Sequence, residues 1–540
     1  MRPTEVHPLS VHQSLGGKHL LVTGVTGFLG KVWILDLLQH LPDVGRITVL
    51  VRGRRGEHAV DRTERVLGTS PALRAMRTEH GARLSTLLSD HIDVLPGELT
   101  EPNCGVPNQV IEELAGSVDV MVNFAGTVDF QPDPLQAIAI NAEGALNAGD
   151  LAQALGVPLV HVSTAYVAGR VNGRVPEVLD PNLAPSDVRF DPSQELAELK
   201  AALAPLGADR TRRQERIDLA QARADHLGFP NLYTYSKSLA ERLLTLREGL
   251  DVTIVRPSIV ECARAFPFVG WNEGLNTSAP LAWLISTAFR DFPSRPHHHF
   301  DIAPVDLVSR GVSLATAAAL SGQGGGVMHL GTSGSNPVQF GRIIELTGLA
   351  NRRRLRQDPN ATPYQRMVVA HLDPIAVDAE RRPLWHVSRL RKGAKAAQRW
   401  LSDAMDAELP GGLDTLAGDS VRSFSKKNLK RTNDAVRNLG RIETMLELFQ
   451  PFVHDHDYVF ENDRIRALSA GLPEEERAQF SYDENTIDWR DYWYNVQYPG
   501  LYTWSIPVLE GKRIEDDPAL EPPVRLRHAG ARALTAMEGK

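Results

Sequence analysis

The chain has 540 residues, 42% of them hydrophobic, and a formal net charge of −7. The length predicts two or three folding units, the apolar content excludes global disorder, and the acidic balance argues against a nucleic-acid binder. Two cysteines, Cys104 and Cys262, with no CxxC pair, give neither a disulfide framework nor a thiolate metal site and suit a reducing compartment.

In chain order, residues 1–17 read as an N-terminal extension without the apolar core of a signal peptide. No run reaches the roughly 18 apolar residues of a membrane span, so a cytoplasmic protein is expected. From 18 to 165, short apolar strands alternate with helical patterns: 19–24, 46–53, 91–99, 119–126 and 158–165. That alternation predicts an α/β fold with a doubly wound parallel sheet. Residues 167–230 interrupt it with Gly/Pro/Asp-rich sequence and polar helices, as an insertion. A helix from about 234, a strand at 251–257 and an α/β piece at 327–346 resume the pattern. The expected boundaries are a cofactor-binding domain over 18–369, a mainly helical domain over 370–510 with a Gly/Asp break at 410–420, and a tail over 511–540.

The stretch "VTGVTGFLGKV" places Gly24, Gly27 and Gly30 between the first strand and a helix. This geometry aims backbone N–H groups and a helix N-terminus at a pyrophosphate. The second strand ends "VLVRGRR" with no acid. Arg52 and Arg54 suit a 2′-phosphate, where a carboxylate would repel it, and so favour NADPH. Solvated loop arginines are the alternative, and Arg55 fits that best.

Tyr233 and Lys237 lie four apart on one helical face, and an ammonium beside a phenol is expected to lower the phenol's pKa. Tyr235 faces the other way and reads as packing. Ser163 and Thr164 end a buried strand, where a hydroxyl can hydrogen-bond a substrate carbonyl or merely cap the strand. "PHHHF" (296–300) and "HDHD" (454–457) have no second ligand cluster at known spacing, and no metal is expected. Basic runs at 352–356, 389–399 and 422–431 could meet phosphates or an anionic membrane surface, or be solvated helix faces.

Together, TGxxGxxG at 23–30, "NFAG" at 123–126, "HVSTAYVAG" at 161–169, Tyr233-x-x-x-Lys237 and "VRPSIV" at 255–260 resemble an extended short-chain dehydrogenase/reductase. With "PVDLV" (304–308), "GSNP" (334–337) and "IDWRDYW" (487–493), the chain is more narrowly similar to the fatty acyl-CoA reductases, the male-sterility family, over about 17–510. The resemblance implies a Rossmann-type sheet with a helical C-terminal domain, NADPH as cofactor and long-chain acyl-CoA as substrate. It implies Tyr233 as proton donor, Lys237 at the nicotinamide ribose, and Thr164, with Ser163 second, at the carbonyl. Around the cofactor it implies Thr23, Gly24, Thr26, Gly27, Phe28, Leu29 and Gly30 at the turn, Arg52 and Arg54 at the 2′-phosphate, and also Glu98 and Leu99. Asn123, Ala125, Gly126, Asn141, Pro257 and Ser258 complete the set. Gly126 departs from the alanine frequent in relatives. The expected reaction runs from acyl-CoA through aldehyde to alcohol, with the insertion as a lid or chain wall. Alternatives are an aldehyde-forming reductase using acyl-CoA or acyl-carrier protein, a reductase of sugar nucleotides or sterols, and an NADP-binding scaffold. The sequence leaves the oligomeric state open.

Overall fold

The computed structural model describes residues 8–530 except 55, 130, 275–277, 287–289 and interrupted stretches between 364 and 445, the longest being 378–390 and 403–428. The break at 410–420 and most of the basic run at 422–431 fall outside the described residues.

The strands are β1 (His19–Thr23), β2 (Arg46–Val51), β3 (Ile92–Pro96), β4 (Val120–Asn123), β5 (Leu159–Val162), β6 (Gly173–Val175) and β7 (Val252–Pro257). They continue with β8 (Ile259–Glu261), β9 (Asp291–Pro293), β10 (Ile302–Pro304), β11 (Gly326–Leu330), β12 (Ile375–Val377), β13 (Tyr458–Phe460) and β14 (Arg527–His528). Eight form one parallel sheet in the order β11-β7-β5-β4-β1-β2-β3-β14. Its inner strands are apolar runs buried on both faces, as a sheet covered by helices on each side requires. Strand order reverses between β1 and β4, which opens a crevice at their carboxyl ends, the ligand position of such sheets.

Two compact units are present, and both are discontinuous in sequence. One comprises residues 1–279, 299–338 and 458–540; the other comprises 280–298 and 339–457. None of their boundaries falls at the expected 369/370. Residues 458–505, expected in a separate helical domain, fold with the sheet because β13 pairs in parallel with β6 of the insertion. The second unit contains the paired β9 and β12 and the helix Phe340–Gln357.

Both chain ends depart from expectation. Val11 and Leu15 of the short helix Val11–Leu15 are buried, and Val11 N–H donates to Glu476 at 2.6 Å. The expected tail is a strap down to residue 530. Arg74 grips Asp517 through two bonds of 2.9 and 2.6 Å, Leu526 N–H donates to Glu64 at 2.8 Å, and β14 runs beside β3.

Within the insertion, the helices Pro192–Leu203 and Arg213–His226 bury Leu196, Leu199, Leu203, Ile217, Ala220 and Ala224. They share that core with Tyr235, Leu239 and Leu243 of the helix Leu232–Thr245. Among the described residues no helix is long and apolar enough to cross a membrane.

Candidate functional site

The glycine turn follows from contacts that forbid side chains. Gly24 adopts φ 74°, and a Cβ there would lie 2.6 Å from the Ala125 nitrogen. A Cβ on Gly30 would lie 2.7 Å from the Gly24 carbonyl, so the helix Phe28–His40 seats directly on the turn. Gly27 caps that helix without a side-chain hydrogen bond, and its first N–H groups, from Phe28 onward, have no acceptor inside the helix. Thr26, Gly27, Phe28 and Leu29 are at least partly exposed around this opening.

Thr23 and Asn123 lie under the glycine turn and the 124–126 loop. Both are buried, and their side chains are consumed beneath the loops. Thr23 donates to Asn123 Oδ1 at 2.5 Å, Asn123 Oδ1 accepts Ala125 N–H at 3.1 Å, and Asn123 Nδ2 lies 3.2 Å from His161 Nδ1. They hold the floor of the crevice. Leu99 is also buried, in the core, with its carbonyl accepting from Asn147 at 2.9 Å.

At the end of β2, Arg52 pairs with Glu98 at 3.4 Å. Arg62, from the next helix, donates to the Arg52 carbonyl at 2.9 Å and to Thr26 Oγ1 at 3.3 Å. Burial, with Arg52 and Arg54 as neighbours, holds Arg62 below the usual guanidinium range. Three guanidinium groups thus gather beside the glycine turn. Arg62 escaped sequence reading because only the fold brings it back to Arg52 from ten residues further along the chain.

On the other side of the crevice, the helix Leu232–Thr245 carries Tyr233 and Lys237. Its entry is fixed by Asn231, whose Oδ1 accepts Thr234 N–H at 2.9 Å. Tyr233 hydrogen-bonds the Thr164 side chain, so two of the expected residues meet. Lys237 Nζ donates to the Val162 carbonyl at 3.1 Å. Asn141 donates to Ser236 Oγ at 3.0 Å and accepts Thr127 N–H at 2.8 Å, tying the 127 loop to this helix. It sits in a π-helical segment, Ile138–Glu143. Ser236 is a supporting residue that the sequence reading did not single out. A Cβ on Gly126 would lie 2.9 Å from Lys237 Nζ and 3.2 Å from Asn141 Oδ1, so an alanine methyl would crowd the ammonium.

The electrostatics run against one expectation. Burial pushes the Tyr233 phenol up to about 12, with the Thr164 hydrogen bond acting the other way. Lys237 is itself pushed down to about 8 by burial, with Glu241 opposing. The phenol is therefore kept protonated, which suits a group that gives a proton away. Glu241, also missed, forms a buried pair with Arg256, with contacts of 3.0, 3.1 and 2.5 Å.

Two further hydroxyls, Ser163 Oγ and Ser258 Oγ, are buried at the ends of the adjacent strands β5 and β7 with no hydrogen-bond partner among the described residues. Buried polar atoms are rarely left so, and a carboxamide or carbonyl in the crevice would satisfy them. The glycine cradle, the helix N-terminus and these orphan hydroxyls fit a nicotinamide dinucleotide. Pro257, beside Ser258, is buried at the same strand end. Tyr235 packs as expected, its ring 5.7 Å from Phe229 and its hydroxyl on Glu195.

A turn built for a pyrophosphate and a Tyr–Lys helix on the same sheet edge define the class: an NAD(P)-binding, Rossmann-type oxidoreductase of the short-chain dehydrogenase/reductase kind. Within that class the chain belongs to the male sterility protein family, whose profile matches residues 22–312, a second profile of the same description matching 419–505. Curated relatives include a probable fatty acyl-CoA reductase of Arabidopsis thaliana, 29% identical over 92% of this chain and 99% of its own length. Another, the alcohol-forming fatty acyl-CoA reductase of Simmondsia chinensis, is 26% identical over 91% and 98%. Among solved structures, the terminal R domain of the myxalamid biosynthetic pathway matches with a TM-score of 0.49 and 18% identity, over 86% of each chain.

Proposed function

We propose that this protein is an NADPH-dependent reductase of long-chain acyl-CoA that carries the acyl group through the aldehyde to the primary alcohol and releases CoA. The observation that carries the reading is the Thr164–Tyr233 hydroxyl pair beside buried Lys237, at the crevice of a chain whose full-length relatives are fatty acyl-CoA reductases. A nicotinamide held at Ser163 and Ser258 would supply the hydride. Thr164 and Tyr233 would hydrogen-bond the thioester oxygen as charge develops there, and Tyr233 would give it a proton. Lys237 would hold the cofactor's ribose. The acyl group must be kept between the two reductions, and each methylene buried contributes about 0.8 kcal/mol to that retention. Two buried free cysteines suit a cytoplasmic setting.

The test is stoichiometry. With long-chain acyl-CoA, about two NADPH should be consumed per CoA released, with alcohol as the main product and added aldehyde reduced too. One NADPH per CoA with aldehyde accumulating would leave an aldehyde-forming reductase. No turnover with acyl-CoA, but turnover with a sugar nucleotide, would replace the reading.

Cofactor choice is read at the arginine cluster. Arg62→Ala should weaken NADPH binding by about 1.5–3 kcal/mol, the range of a charge-assisted bond, with little change for NADH. Titrating both cofactors by fluorescence checks this, and equal losses would mean that Arg62 only supports the glycine turn.

Lys237 sets a pH limit. Because burial brings it down to about 8, kcat/KM for NADPH should fall as the pH rises through about 8 and the ammonium is lost. Lys237→Arg should move that limb out of the accessible range, whatever its effect on the maximum rate.

A further inference from the structure

Thr164 is held in place from the far end of the chain. It opens a short helical turn, Ala165–Ala168, which Gly169 closes at φ 73°. Its Oγ1 accepts Tyr166 N–H at 3.4 Å, which couples the hydroxyl to the position of Tyr166. The Tyr166 ring stands edge-on to Tyr458 (5.4 Å, 77°) and to Phe460 (5.3 Å, 83°), and those two stack on each other at 5.6 Å and 15°. At the other end of the turn, the Tyr458 hydroxyl donates to the Gly169 carbonyl at 2.8 Å, where Val171 N–H also donates at 3.1 Å. Tyr458 and Phe460 are buried, and their backbone is fixed. Residues Tyr458 and Gly173 are in register across β13 and β6, and Phe460 N–H donates to Ser333 Oγ at 2.9 Å. One residue of β13 therefore grips both ends of the turn that aims Thr164.

We propose that Tyr458 is a positioning residue: acting through Tyr166 and the Gly169 carbonyl, it fixes the Thr164 hydroxyl where it meets Tyr233. This rests on the reading of Thr164 as the group that binds the reacting oxygen. It gives the segment around β13 an indirect part in catalysis, without contact with substrate. Transition-state groups need placement to about half an ångström, and misplacement by about 1 Å costs on the order of a hundredfold. A single lost tether should cost less.

The test is a double-mutant cycle on the full-length protein, read as kcat, KM for acyl-CoA and Kd for NADPH. Tyr458→Phe keeps both ring contacts and loses only the hydroxyl. It should lower kcat about tenfold while KM and Kd stay within about twofold. In a Thr164→Ala background the same change should cost less than about twofold, since nothing remains to be aimed. Tyr166→Leu, which removes the edge contacts and keeps the hydroxyl of Tyr458, should behave the same way in both backgrounds. A tenfold loss that persists in Thr164→Ala would make Tyr458 a purely structural residue, and an unchanged kcat in Tyr458→Phe would overturn the inference outright. Full activity in Thr164→Ala alone would instead remove the reading on which it rests.

Discussion

Tyr233→Phe should lower kcat by about 10²–10⁴-fold, the usual contribution of a positioned general acid, with NADPH binding changed by less than about twofold. The substitution keeps the ring and removes only the proton and its oxygen. Burial holds that proton on the phenol, up to about 12, so in the empty site it is available across the whole neutral range. The Thr164 hydroxyl would remain but lose its partner, and it cannot replace the acid because its own proton is far less acidic. Single-turnover rates with acyl-CoA and a fluorescence titration of NADPH separate the two effects. Near-normal turnover in the variant would remove Tyr233 from the chemistry.

Glu241→Ala should destabilise the protein by about 3–5 kcal/mol, the cost of leaving a buried charge without its partner. Arg256 is only 4% exposed and Glu241 is fully buried, and the pair joins the Tyr233–Lys237 helix to β7. Beyond Glu241, the guanidinium meets His329 Nε2 at 3.4 Å. That ring offers no charge, since burial brings it down to about 3, and its Nδ1 donates to the Glu461 carbonyl at 2.8 Å. Urea unfolding of Glu241→Ala, Glu241→Gln and the double change Glu241→Leu with Arg256→Met checks the account. The glutamine variant should lose less, and the double variant should recover much of the loss because no lone charge is left. A small effect in Glu241→Ala would mean that water reaches Arg256.

The parallel sheet was legible because strands buried on both faces leave unbroken apolar runs. The expected 46–53 and 251–257 lie within two residues of Arg46–Val51 and Val252–Pro257. The three glycines carried the turn, since contacts at Gly24 and Gly30 leave no room for a Cβ. What stayed hidden depends on distance along the chain. The pairing of β13 with β6 joins residues nearly three hundred apart, and a three-residue strand shows no periodicity. The two-residue strand Arg527–His528 is charged and exposed, so composition made it a tail. The bond from Thr23 to Asn123 was also hidden, because motif position does not say which way a side chain points. The Tyr233 phenol is raised rather than lowered because removal from water and the charge of Glu241 both act upward, and neither is visible in the i, i+4 spacing.

The strap at residues 513–530 also bears on the margin of the sheet. A doubly wound sheet ends in strands with one row of unsatisfied N–H and C=O groups, and such a row recruits any extended chain that can pair with it. Here β14 pairs with Asp93 and Val94 of β3, and contacts at Arg74, Glu64 and Asp93 hold the strap in place. Shortening the chain at residue 512 would leave the crevice residues untouched yet expose an adhesive edge. The strap thus closes part of an open edge, at the margin of the sheet farthest in strand order from β11.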